Sequence, residues 1–186
     1  MTALLSRPLL RVAANFVLFQ LAWFAAIMGG ASGYGAFAAL PAAVVALLHL
    51  GLNRSIWRRE IWLILGVTLL GLLVETGFIR LGALQYIGIE AGTILPPLWI
   101  VALWLAFGTL PNGSLHWLKG RSLLQLILGA VLGPLSYLAG VRLGAATLGE
   151  PEWLSIAVIA VGWGLAMPIM FHLAKRLEAV SRSPAP

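Results

Sequence analysis

The sequence predicts an all-α polytopic membrane bundle of six transmembrane helices, with both termini on the cytoplasmic side. Three observations predict it. Of 186 residues, 61% are hydrophobic and only 10% charged, whereas about a quarter of a soluble domain is charged. The apolar residues gather in runs near the ~20 residues that a spanning helix needs. The basic residues sit between those runs and mostly on alternate sides, which reports membrane topology.

The runs are 9–29, 36–52, 61–80, 94–111, 122–142 and 153–174, one transmembrane domain followed by a tail, 178–186, expected to be disordered. The breaks are chemically sensible. "GGASGYG" (29–35) is a glycine-rich turn, "NRSIWRRE" (53–60) a basic loop, and "PNGSLHWLKGR" (111–121) opens on turn residues. "LGEPE" (148–152) ends one span and starts the next at Pro151. The segment 81–92, "LGALQYIGIEAG", is too short and too glycine-rich to span and reads as a surface loop, with a short hairpin or a re-entrant piece on the outer face as alternatives. Trp57, Trp62 and Trp117 near one interface, and Trp99, Trp153, Tyr34 and Tyr86 near the other, read as an aromatic belt.

Ten of the twelve Lys and Arg residues fall on the side of the termini: Arg7, Arg11, Arg54, Arg58, Arg59, Lys119, Arg121, Lys175, Arg176 and Arg182. Arg80 and Arg142 face the other side. The positive-inside rule then places the termini in the cytoplasm. The same distribution argues against nucleic acid as a partner, because the net charge of +6 does not form one patch. The first span resembles a signal peptide in its Arg7 and Arg11 flank, but it is long for one and five spans follow. There are no cysteines, which removes disulfides and thiolate chemistry.

Polar groups inside the spans are the candidate functional residues. Asn15 and Gln20 lie roughly 9 and 17 Å into span 1 and roughly 140° apart around it, so two different partners are expected. Pro134 and Pro168 free the carbonyls of Ala130 and Gly164, which are plausible acceptors for such amides. With Trp23, the two amides form a candidate groove for a lipid headgroup or small solute. Glu75 is the single acid inside these spans, roughly 21 Å past Ile61. Span 5 brings Ser136 and Tyr137 to similar depth, with Arg142 at the rim, so Glu75, Tyr137, Arg142 and Ser136 form a candidate polar cluster.

His49, His116 and His172 end spans 2, 4 and 6 on one side, but helix-end histidines also arise from interface chemistry, and no metal or other cofactor is expected. Gly129/Gly133 and Gly140/Gly144 have small-xxx-small spacing, the signature of close helix packing. No hydrolase, nucleotide-binding or zincin motif occurs, so enzyme activity is not expected and catalytic residues are unknown.

"NFVLFQLAWFAA" (15–26), "PLWIVALWLAF" (97–107) and "GPLSYLAGVRLGA" (133–145), followed by Trp163, resemble a family of small bacterial inner-membrane proteins that carries a domain-of-unknown-function label. The resemblance runs from about residue 10 to 175. It implies no activity or catalytic residue. It implies a lipid-related role only by association, since genes of the family tend to lie near those for enzymes that modify membrane fatty acids, such as cyclopropane-synthase-like methyltransferases. The expectation is therefore a lipid- or fatty-acid-handling accessory protein of the bacterial inner membrane. Its expected partners are membrane lipids and other membrane proteins of fatty-acid modification. The alternatives are a small proton-coupled transporter using Glu75 and a non-catalytic structural subunit of a membrane complex.

Overall fold

A computed structural model describes residues 8–90 and 92–182. It is an all-α bundle of six helices: α1 (Pro8–Ala31), α2 (Leu40–Leu52), α3 (Trp57–Arg80), α4 (Leu98–Phe107), α5 (Ser122–Arg142) and α6 (Glu152–Arg182). Five segments are long and apolar enough to cross a membrane, and α4 is the shorter apolar exception. Large side chains such as Leu9, Leu21, Leu69, Leu73, Leu123 and Val161 are more than half exposed, which suits a surface facing hydrocarbon. The chain is a membrane protein.

Two expected boundaries change. Span 4, read as 94–111, forms only ten helical residues before the chain turns through Gly108–Leu115. This irregular stretch is largely buried, the condition under which non-helical backbone is tolerated at membrane depth. Pro96 and Pro97 delay the start of α4, and the turn residues Gly108, Pro111, Asn112 and Gly113 follow its end. The expected tail also begins too early: α6 runs through 178–182, and 183–186 lie outside the described residues.

The segment after α3 is a short buried strand, β1 (Leu84–Tyr86), paired antiparallel with β2 (Ala146–Leu148) after α5. Pairing is Leu84 with Leu148, Gln85 with Thr147 and Tyr86 with Ala146. This end of the bundle is called the hairpin end; the opposite one, which carries Arg54, Arg58, Arg59, Lys119, Arg121, Lys175 and Arg176, is the basic end.

The two strands belong to an internal repeat. "RLGA" occurs at 80–83 and again at 142–145, and each copy is followed by Pro-x-Trp, at 97–99 and 151–153. Both copies end their helix in the same way. The N–H groups of Gly82 and Ala83 donate to the carbonyls of Ile79 and Phe78, and those of Gly144 and Ala145 to Val141 and Gly140. This is a Schellman cap, which needs a left-handed residue; Gly82 and Gly144 supply it with φ of 68° and 81°. The equivalent residues Gln85 and Thr147 lie opposite one another, as a local two-fold axis requires. The halves are therefore α3–β1–α4 and α5–β2–α6.

The packing breaks this symmetry. α5 packs on α6 as α3 packs on α4, and α3 also packs on α6. The interface equivalent to that last one, α4 with α5, is not comparably closed; α4 is instead covered by α1 and α2.

Candidate functional site

The open place between α4 and α5 is a cavity of about 550 Å³, within the usual range of a small-molecule site, ~300–1,000 Å³. α1 lines it from Phe16 to Ile27, about 16 Å of helix by the α-helical rise. Its walls are aromatic and aliphatic, among them Trp23, Trp99, Phe107 and Met167. Its edge carries the half-exposed Phe16, Leu132 and Leu135, side chains of the kind that face lipid.

Glu75 stands at the hairpin end of this cavity and is 1% exposed. Three donors converge on its carboxyl group. Tyr86 Oη donates to Oε2 at 2.6 Å, Trp104 Nε1 donates to Oε1 at 2.9 Å, and the Tyr137 hydroxyl donates to Oε1. An indole can only donate, whereas a phenol donates or accepts, so Oε1 is held as an acceptor while the phenols can adapt to either protonation state. Burial raises the pKa of the Tyr86 phenol well above its ordinary value, and the neighbouring Glu75 raises it further.

The repeat explains why these groups meet. Glu75 and Tyr137 are 62 residues apart, as are Arg80 and Arg142, so they hold equivalent positions in the two halves. Gly71 and Gly133 are equivalent by the same offset. A Cβ at Gly71 would overlap the Trp104 ring, and one at Gly133 the Trp163 ring. The two indoles, each seated on its glycine, stack at 4.8 Å between centroids and 20° between planes. Trp104 Nε1 has its acceptor in Glu75. Trp163 Nε1 is buried beside the Tyr137 hydroxyl, which can accept from it.

The predicted polar cluster is brought together in part. Glu75 and Tyr137 bond directly. Ser136 lines the same cavity, but its hydroxyl donates to Gly133 O of its own helix. Arg142 is a correction: it is exposed and bonds no other described residue, because the Schellman cap that follows it holds it at the helix end. Arg80 is exposed likewise.

The predicted groove divides. Gln20 and Trp23 line the cavity with Glu75, and the Gln20 amide has no hydrogen bond among the described residues. Asn15 is not in the cavity lining. Its Nδ2 donates to Thr109 Oγ1 at 3.0 Å and its Oδ1 accepts from the Ser114 N–H at 2.8 Å. Asn15 therefore pins the irregular segment after α4, and neither amide bonds a carbonyl freed by proline. Gly164 lies beside Ala130 in the α5–α6 contact. Gly129 and Gly133 serve the expected close packing, against Trp163, whereas Gly144 serves a turn.

Sequence reasoning missed Tyr86 and Trp104, read as interface and span residues, and it missed Glu60. Placed in a loop by the expected boundary, Glu60 lies in the first turn of α3 and is fully buried. His49 Nε2 and Glu60 Oε2 are 2.9 Å apart, and Arg59 and Asn112 donate to Oε1. Lys119 bridges Asn112 Oδ1 and Glu178. This network ties α2, α3, α6 and the segment after α4 together at the basic end. The three histidines do not converge: His49 holds Glu60, His172 accepts from Arg176, and His116 is exposed. The signal that could have exposed the site is the duplicated "RLGA", which aligns Glu75 with Tyr137.

A second cavity of about 310 Å³ opens at the basic end, lined by Arg11, Asn15, His49, Asn53, Asn112 and Gly113 among others. The segment pinned by Asn15 contributes residues to both cavities.

No curated protein and no solved structure matches the chain. Residues 12–169 match the family described as protein of unknown function DUF2878, and the chain belongs to that family.

Proposed function

We propose that the protein takes a membrane amphiphile laterally from the bilayer into the cavity between α4 and α5, and acts as a lipid-handling accessory protein for enzymes that modify fatty acyl chains. The single observation that carries this reading is the cavity itself. It is long and apolar, edged by lipid-facing Phe16, Leu132 and Leu135, and supplied with a few polar groups inside. That is the composition of a site for a chain with one polar function. In this reading the protein sits in the bacterial inner membrane with the termini and the basic end in the cytoplasm, following the ten-to-two asymmetry of Lys and Arg. Lipid and the membrane enzymes that act on it are its partners, and it has no catalytic role of its own.

The test is native mass spectrometry of the purified full chain with fatty-acid profiling of a deletion strain. Retained lipid, lost on Gly140→Leu, supports the reading. Gly140 lines the cavity against Ile27 of α1, so a larger side chain there fills it. No retained lipid and an unchanged fatty-acid profile overturn it.

A second reading is proton-coupled transport through Glu75. It is favoured by the two cavities, which lie on either side of the segment pinned by Asn15. It predicts that Glu75→Gln abolishes proton uptake in proteoliposomes; uptake equal to that of the parent protein removes it.

A further inference from the structure

The cavity lies where the repeat leaves out a side chain. Phe78, near the end of α3, is 3% exposed and helps to close the α3–α6 interface. Its ring is seated on Gly162 of α6, where a Cβ would overlap it. It also meets Tyr137 edge to face, with 5.8 Å between centroids and 89° between planes. The residue equivalent to Phe78, by the same offset that relates Glu75 to Tyr137, is Gly140. Gly140 lines the cavity, and a Cβ there would meet only Ile27 of α1, at an ordinary contact distance of 3.5 Å. The α3–α6 interface is thus plugged by a ring, and the α4–α5 interface has a recess at the equivalent place. Gly140 is also the member of the two small-xxx-small pairs that neither close packing nor the turn uses.

A chain or a ring could fill such a recess, and two observations favour a ring. The first is the lining. Tyr86, Trp99 and Tyr137 line this end of the cavity, and the rings of Tyr86 and Trp99 already lie edge to face at 5.4 Å. Aromatic rings in such contacts gain more than the area they bury. The second is the neighbour. The two-fold relation that carries Phe78 to Gly140 carries Tyr137 to Glu75, so a group in the recess stands against Glu75 as Phe78 stands against Tyr137. A ring presents a positive edge, and a carboxyl oxygen is an acceptor in either protonation state. An aliphatic chain has no such edge. Toward the basic end the cavity reaches Leu132, about 12 Å of helix from Gly140, and there a tail can pass into lipid. We propose that the ligand carries a planar ring on a long aliphatic tail, the build of a long-chain phenol or quinone, and that Gly140 selects it. The ring takes the place in the second half that Phe78 holds in the first. This rests on the lateral uptake of an amphiphile proposed above and goes beyond it in naming the group that enters first.

The experiment uses the full chain in detergent micelles and native mass spectrometry. Three probes share one C18 tail and differ in the group it carries: a phenol, a benzoquinone and a primary alcohol. Retention of the phenol or the quinone at one per protein, about tenfold tighter than the alcohol, is the expected result, and the tighter of the two identifies the kind of ring. Gly140→Phe puts the missing ring on the chain itself and is expected to weaken the ring probes by about tenfold or more. Gly140→Ala, whose Cβ has room beside Ile27, gives a second reading if the Phe variant fails to fold, with a smaller loss expected. Binding of the alcohol as tight as that of the ring probes overturns the inference and leaves lipid handling standing. So does unchanged ring-probe binding in every Gly140 variant that folds. Failure of all three probes to bind overturns both.

Discussion

Glu75 and Tyr137 hold equivalent positions in two halves of one chain, and they hydrogen-bond to each other inside the cavity. The present pair is a donor and an acceptor.

Removing the Glu75 carboxyl should strand three donors. Glu75→Leu is expected to destabilise the bundle by at least about 3 kcal/mol, since each buried unsatisfied group costs about 1–3 kcal/mol. Glu75→Gln keeps one acceptor oxygen and should cost less. Denaturant unfolding in bicelles checks the order; a neutral effect of Glu75→Leu would show that the three contacts do not hold the core.

The two span-1 amides should behave oppositely. Asn15→Ala leaves the Ser114 N–H without its acceptor and takes one of two hydrogen bonds from the Thr109 hydroxyl, which still donates to Ala106 O, and is expected to cost about 2 kcal/mol. It should also speed amide hydrogen exchange at Ser114. Gln20→Leu removes an amide with no partner among the described residues, and should leave stability unchanged or raise it slightly. Equal destabilisation by both would contradict the assignment of Asn15 to structure and Gln20 to the cavity.

Gly71→Ala and Gly133→Ala should have matched effects. Each new Cβ would overlap the indole that packs on it, and overpacking of this kind costs about 1–3 kcal/mol. Both should also disturb the stacked Trp104–Trp163 pair, visible as a loss of near-UV circular dichroism. A large effect at one position alone would argue against the two-fold relation of the halves.

Tyr86 supplies a pH dependence. Its phenol pKa is raised in the folded protein by burial and by Glu75, so the unfolded chain loses that proton first as pH rises. The stability held through the neutral phenol is fully present below the ordinary tyrosine pKa of about 10 and is lost as pH rises above it. The unfolding midpoint should fall between pH 10 and 12, and Tyr86→Phe should flatten that fall. An identical slope in Tyr86→Phe would assign it to other groups.

The basic-end network should respond to loss of its acid. Glu60 is fully buried among His49, Arg59 and Asn112. Removing one partner of such a set costs about 3–5 kcal/mol, so Glu60→Ala should lower the melting temperature more than His172→Ala. The reverse order in a thermal melt would place the weight of that end elsewhere.

Much of the bundle was legible because hydrocarbon imposes a simple rule. Backbone must bond to itself, so long apolar runs become helices whatever their neighbours. That rule carries α1, α2, α3, α5 and α6, and it brings Glu75 and Tyr137 to one depth. It does not carry α4, whose run of apolar residues is broken by prolines and a turn that only a surrounding protein can bury. Nor does it reveal Tyr86, which sits among glycines in a segment that resembles a loop. Its strand forms only because a second strand, more than fifty residues away, meets it in register.

The sequence by itself determined an all-α membrane chain, the depth of its polar side chains and the side on which its charges gather. These follow from composition and the fixed rise of a helix. Tertiary structure alone decided which polar groups meet. It put Gln20 and Glu75 on one cavity, kept Asn15 and Arg142 out of its lining, and buried Glu60. Depth is a property of one helix. Rotation, neighbour and register arise only when helices pack, and in this chain they are set by a two-fold repeat whose second interface is open.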